Sequence, residues 1–168
     1  SVRFGAVVRC LIVALLVTGC ELASGGVRTS YLAPGPAGAT DRIRSVAEAH
    51  ADAGNVDRFA LARLQSFTVT EVRLAKTFAT ISEGASDAGD TSGRVARIVI
   101  TRYADGKDGL NAMSKQIRGE VYLFEGQGVL AVYEIEKLSA SGPLISSSLR
   151  SVDRAFAEKA ARAILGYE

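Results

Sequence analysis

Few side chains in this chain can do covalent or acid–base chemistry near neutral pH. There is one histidine, His50, there are two cysteines, Cys10 and Cys20, and there is no tryptophan. A His-rich zinc site or a Cys–His nucleophile pair needs more than that inventory holds. Glu134 and Glu136 fall on one side of a strand, and paired carboxylates can divide acid and base work in glycoside hydrolysis. The same spacing beside a hairpin also describes plain solvated charge. Glu83, Asp87 and Asp90 lie among Gly and Ser in the segment 82–93. Their spacing departs from that of a calcium loop, which favours a solvated loop. Gly126-Gln127-Gly128 lacks the strand-to-helix setting of a phosphate loop, and no Ser sits in a Gly-x-Ser-x-Gly elbow. Neither a metal nor a diffusible cofactor is expected, and neither is catalysis. The remaining reactive group is the Cys20 thiol, which directly follows the small Gly19 at the end of an apolar run.

That run begins the chain. Arg3 and Arg9 precede an uncharged stretch from Cys10 to Val17, the tripartite shape of an export signal. A spanning helix needs about 20 consecutive apolar residues; Arg9 interrupts the stretch and Glu21 ends it, so a permanent transmembrane anchor is disfavoured. Val17-Thr18-Gly19-Cys20 resembles the lipobox of bacterial lipoproteins. The resemblance implies cleavage between Gly19 and Cys20 and a covalent lipid on Cys20, with more than one acyl chain for stable anchoring. Glu21, where an aspartate would signal retention, implies by the same likeness an outer membrane facing the periplasm in preference to an inner one.

Removing 19 of the 168 residues leaves 149, which suits one compact domain. It also removes Arg3 and Arg9, so the formal charge of +2 falls to a balance of 18 basic and 18 acidic residues. A neutral chain without a Lys/Arg run has no electrostatic footprint for phosphate backbones, which excludes nucleic acid as an expected partner. One cysteine would remain, and with it no internal disulfide.

Three segments follow from the patterning: a signal peptide over 1–19, a lipidated N-terminus and tether over 20–40, rich in Gly, Ala, Ser and Pro, and a single domain over 41–168. Ile43, Val46, Ala47 and Ala49 predict a helix over 41–52 with Asp41 as its N-cap, and a weaker helix follows near 56–64. His50 then sits on a surface-leaning helix as a solvated residue. Phe67 to Leu74, with its β-branched residues, is a strand candidate. Arg94 to Tyr103 is the clearest strand, stopped by Ala104-Asp105-Gly106. Strand-like runs over 116–125 and 128–138 flank Gly126-Gln127, a Gly-first pair suited to a type II′ hairpin turn. Uninterrupted pairing from that turn sets Phe124 opposite Val129, Leu123 opposite Leu130 and Tyr122 opposite Ala131. One face of the hairpin would then carry Tyr122, Phe124, Val129 and Tyr133, a candidate partner surface, and the other Val121, Leu123, Leu130 and Val132. Ser151 to Leu165 reads as an amphipathic helix with Asp153 near its N-terminus and Gly166 as its stop. The expected fold class is α+β: an antiparallel sheet of about four strands including the 116–138 hairpin, with N-terminal helices and a C-terminal helix packed on it.

The order of the stretch from Arg94 to Leu165 resembles small bacterial outer-membrane-type lipoproteins carrying a domain of unknown function. A strand ends in Ile100-Thr101-Arg102-Tyr103, Ile117-Arg118-Gly119-Glu120-Val121 opens a hairpin, and a helix contains Ala155-Phe156-Ala157. More loosely the stretch is similar to the periplasmic domains of curli-secretion-type and peptidoglycan-synthase-activating lipoproteins. The expected role is a non-catalytic binding or assembly factor of the cell envelope, attached to a membrane by its lipid, with an envelope protein as partner and a homo-oligomer left open. Two other readings are a carrier that holds a lipid or other small apolar molecule between sheet and helix, and an envelope hydrolase using His50 or the Glu134/Glu136 pair.

Overall fold

A computed structural model describes residues 25–34, 42–75, 80–84, 93–107, 112–143 and 148–166. Gly19, Cys20, Asp41, Asp87 and Asp90 lie outside the described residues. In chain order the elements are β1 (Val27–Leu32), β2 (Arg42–Ala49), α1 (Arg58–Ala75), β3 (Thr80–Glu83), β4 (Arg94–Lys107), β5 (Ala112–Glu125), β6 (Gly128–Pro143) and α2 (Ser148–Leu165). The strands form one mixed sheet in the order β1-β6-β5-β4-β2-β3. β2 runs parallel to β3 and β4, and the remaining pairs are antiparallel. The class is α+β as expected, but the sheet has six strands and is not purely antiparallel.

Two expectations for the N-terminal half are overturned. Residues 42–49 are a strand, not a helix: Ile43 and Ser45 are buried between exposed or half-exposed Arg42 and Arg44. Residues 58–75 are one helix, which absorbs both the weak helix near 56–64 and the strand candidate at 67–74. Leu64, Thr68 and Val72, spaced by four, are buried on one face with Ala60 and Val69. The threonines that argue for a strand settle in the helix because Thr68 Oγ1 donates to Leu64 O at 2.8 Å and Thr70 Oγ1 to Ser66 O at 2.9 Å. Asp57 caps the helix, its Oδ1 accepting from Ala60 N–H at 2.7 Å.

Both helices lie on one face of the sheet and on each other. The core there joins Ile98 and Ile100 of β4, Ile117 and Val121 of β5, Ile135 and Leu138 of β6, Leu64 and Val72 of α1, and Val152 and Phe156 of α2. Each such side chain contributes about 1.5–3 kcal/mol through burial, which makes this face the main source of cohesion. Gln65 adds a polar tie where β3 ends: its Oε1 accepts from Ala47 N–H at 2.9 Å and its Nε2 donates to Gly84 O at 3.1 Å.

The β5–β6 hairpin turns at Gly126, whose φ of +60° suits the first central position of a type II′ turn. The pairing then departs from the uninterrupted register. Phe124 does face Val129, but Leu123 faces Ala131, Tyr122 faces Val132 and Val121 faces Tyr133, so Leu130 is a bulge. Ala104-Asp105-Gly106 does not stop the strand either, because β4 and β5 stay paired as far as Lys107 and Met113. Residues 27–32, placed in the tether by composition, are edge strand β1 paired with β6.

Asp153 is not at the start of α2, which begins at Ser148. It is 1% exposed and faces two cations: Lys115 Nζ, itself 4% exposed, at 2.9 Å, and Arg63 Nε at 2.8 Å. Lys115 also lies 5.3 Å from the Tyr103 ring centroid. The carboxylate thus ties α2 to α1 and to β5. Removing one partner of a buried ion pair costs about 3–5 kcal/mol. Asp153→Ala is expected to lower the unfolding free energy by about that much in urea titration, whereas Arg63→Ala, at a half-exposed position, should cost about 1 kcal/mol or less.

Gly119 sets how closely α2 approaches. A Cβ there would meet Val99 O at 2.7 Å and Phe156 Cζ at 2.8 Å. Gly119→Ala is expected to destabilise by about 1–3 kcal/mol through overpacking, measured the same way; an unchanged midpoint would contradict the close approach.

Candidate functional site

The second face of the sheet is not covered by either helix. β4 presents Arg97, Val99 and Thr101 there, β5 presents Glu120, Tyr122 and Phe124, and Glu48 and His50 close the end of β2. With Asp52 these side chains line an open groove of about 560 Å³. Tyr122 and Phe124 are stacked, with centroids 6.2 Å apart and planes at 16°. The Arg97 guanidinium lies 5.3 Å from the Phe124 centroid and 3.7 Å from Glu48 Oε1. Tyr122 Oη donates to Glu120 Oε2 at 2.5 Å. That hydrogen bond, helped by partial burial, raises the Tyr122 pKa and keeps the phenol protonated.

Three of the four candidate surface residues therefore meet on this face: Tyr122, Phe124 and Val129, the last directly across from Phe124. Tyr133 does not. The Leu130 bulge turns it to the opposite side, where it is 6% exposed within the core, and brings Val132 out beside Tyr122 in its place. Sequence reasoning missed the contribution of β4 and β2 to the groove. The alternation of Arg97, Val99 and Thr101 was a usable signal; the misassignment of residues 42–49 hid Glu48.

His50 follows β2, not a helix, and its side chain is 56% exposed. Its Nδ1 accepts from Asp52 N–H at 3.3 Å and lies 3.7 Å from Asp52 Oδ2. Glu134 and Glu136 each hold β1. Glu134 accepts from Arg28 of β1 and Arg118 of β5, and Glu136 Oε2 accepts from Gly26 N–H at 2.8 Å. Glu83 is exposed at the end of β3. Among the described residues no group of three or more His, Cys, Asp or Glu could hold a metal ion, and no helix is long and apolar enough to cross a membrane. What this face offers is a contact surface: two stacked rings and valines, flanked by carboxylates and a guanidinium.

No protein-family profile matches the chain, and no curated protein sequence does at a significant level. Solved structures do match. A single-substitution variant of PelC from Paraburkholderia phytofirmans, a dodecamer, is 19% identical over 82% of this chain and 96% of its own, with a TM-score of 0.53. A second crystal form of the PelC dodecamer is 12% identical over 84% and 94%, also at 0.53. The fold is similar to that of PelC. A lipoprotein from Neisseria meningitidis, 13% identical over 74% of this chain and 95% of its own, has a TM-score of 0.40, too loose a likeness to fix the topology.

The Arg118 hydrogen bond, and after it that of Arg28, hold the Glu134 carboxyl below the usual carboxylate range. A depressed folded pKa stabilises above the unfolded value of about 4.3 and loses that contribution as pH falls through the folded value. The stability difference between wild type and Glu134→Gln is expected to be full near about pH 6 and to shrink toward about pH 3 in denaturant titrations. A difference independent of pH would contradict the ion-pair role.

Proposed function

We propose that this chain is a bacterial envelope lipoprotein, acylated on Cys20 after cleavage behind Gly19, that works without catalysis as a homo-oligomeric binding or assembly factor. The observation that carries the reading is the sheet face on which, among the described residues, no helix covers Tyr122, Phe124, Val129 and Val132, apolar side chains set among charged ones. The Val17-Thr18-Gly19-Cys20 pattern supports the lipid anchor, and Glu21 favours the outer membrane, facing the periplasm. The similarity of fold to PelC, whose structure is a dodecamer, supports self-assembly. An envelope protein as a further partner rests on the same half-buried aromatics lining the groove. The resemblance to curli-secretion-type and peptidoglycan-synthase-activating lipoproteins stays at the level of residue pattern.

The carrier reading needs a cavity of about 300 Å³ between sheet and helix. The described groove is large enough but lies on the other face, and the sheet–helix contact at Gly119 and Phe156 is tight. The hydrolase reading loses its carboxylate pair, since Glu134 and Glu136 are engaged in holding β1.

Two measurements test the proposal. Mass spectrometry of the chain expressed with its own leader should find an acylated N-terminal cysteine, and Cys20→Ala should accumulate uncut with no lipid attached. A photocrosslinker in place of Tyr122 should give discrete adducts in intact cells, against none when placed at exposed Ser66 on α1. An unmodified sulfur on an uncut wild-type chain, or equal labelling from both positions, would contradict it.

A further inference from the structure

Residues 27–32, expected in the tether, belong to the sheet as β1, and this shortens the chain between the lipid of Cys20 and the folded domain. The backbone is already packed on β6 at Gly25, where a Cβ would meet that of Glu136 at 2.7 Å. Five peptide steps separate Cys20 from Gly25 and reach at most ~18 Å. That is little more than the radius of gyration of a domain of this size, ~15 Å. An anchored domain is then held against its own bilayer, with β1 the described element that follows the anchor most closely.

What β1 exposes fits that position. Among the described residues four large hydrophobic side chains are exposed: Tyr31 at 47%, Leu32 at 67%, and Phe59 and Leu74 at 69% each. Phe59 and Leu74 stand near opposite ends of α1, ~22 Å apart along its axis. Tyr31 and Leu32 are adjacent, at the edge of the sheet. Tyr31 lies across from Val132 on the groove side and Leu32 across from the buried Ala131, so one projects on each side of the edge. Around the first rungs Arg28, Arg118 and Lys137 stand against Glu134 and Glu136, a near balance that neither draws in nor repels a headgroup layer strongly. Apolar contact and chain length therefore decide the occupant.

Resting on the Cys20 anchor of the reading above, we propose that β1 is a membrane-docking edge: Tyr31 and Leu32 enter the interfacial layer of the bilayer that holds the acyl chains. A tyrosine ring with a polar tip suits that layer, and leucine gains by burial in it. The outward N–H and C=O groups of an edge strand keep hydrogen-bond partners among headgroups and water, which limits the depth to the interface. A lipid on a short chain and a second contact on β1 fix the orientation of the domain, whereas a lipid alone would let it swivel.

The full acylated chain in vesicles of phosphatidylethanolamine and phosphatidylglycerol, some with brominated acyl chains, tests the contact. Acylation occupies the Cys20 sulfur and cleavage removes Cys10, so Ser30→Cys or Ser66→Cys supplies the one thiol for a fluorescent label. Both serines are exposed, the first on β1 and the second on α1. Brominated lipid should quench the label at position 30 at least about threefold more than the label at position 66. Adding Leu32→Asp to the Ser30→Cys chain should remove most of that difference, and Tyr31→Asp with it the remainder, while vesicle flotation and circular dichroism stay unchanged. Equal quenching at both positions, or none at either, in an acylated chain overturns the docking and leaves the anchor standing. A label at position 30 whose shielding follows protein density and ignores brominated lipid assigns the edge to a second copy and overturns it as well. A chain that mass spectrometry finds unacylated removes both.

Discussion

Leu130 has no partner on β5. Because Phe124 faces Val129 while Leu123 faces Ala131, one residue of β6 is passed over, and the side chains from Ala131 to Ile135 change sides before a second shift between Gly119 and Ile117 restores the phase. In a strand of period two this decides which residues meet the helices and which meet solvent. Tyr133 goes inward, where its ring helps fill the core between sheet and helices; Val132 goes outward, beside Tyr122. What β6 adds to the second face, Val132 in place of Tyr133, rests on that single extra residue, placed beside a turn that Gly126 fixes with a positive φ.

On the covered face two constraints act together. Gly119 lets Phe156 lie against the backbone of the sheet, and Asp153 binds cations from two different elements. The first is non-directional and accounts for cohesion. The second is directional, since a buried carboxylate tolerates few arrangements of Lys115 and Arg63, and it fixes how α1 and α2 sit together. The PelC likeness is a likeness in this architecture, at an identity where residue roles do not carry across.

The sequence makes some of this legible and hides the rest for identifiable reasons. β4, the β5–β6 hairpin and α2 are long and strongly periodic, and they stand where the pattern places them. β2 is hidden because a buried serine, Ser45, occupies a core position and breaks the apolar alternation, leaving Ile43, Val46 and Ala47 at spacings that imitate a helix. α1 is hidden by the opposite effect: Thr68, Val69, Thr70 and Val72 have strand propensity, but tertiary burial of one helical stripe outweighs a preference worth tenths of a kcal/mol per residue. β1 is short, lies at an edge, and is held through Glu134 and Glu136 on a strand more than a hundred positions away in the chain, a partnership that no local window contains. Of the surface site, Tyr122, Phe124 and Val129 are legible from alternation, whereas the exchange of Tyr133 for Val132 needs the bulge, for which composition gives no sign.

β1 is also the first described element, and its tie to the rest of the sheet is one-sided. Any tension on the chain ahead of residue 25 enters the domain at Gly26, where Glu136 receives it, and passes next to Arg28 and Glu134. Two carboxylates of β6 therefore act as a latch on the first rungs of the ladder, in addition to the backbone pairing that holds β1 as an edge strand.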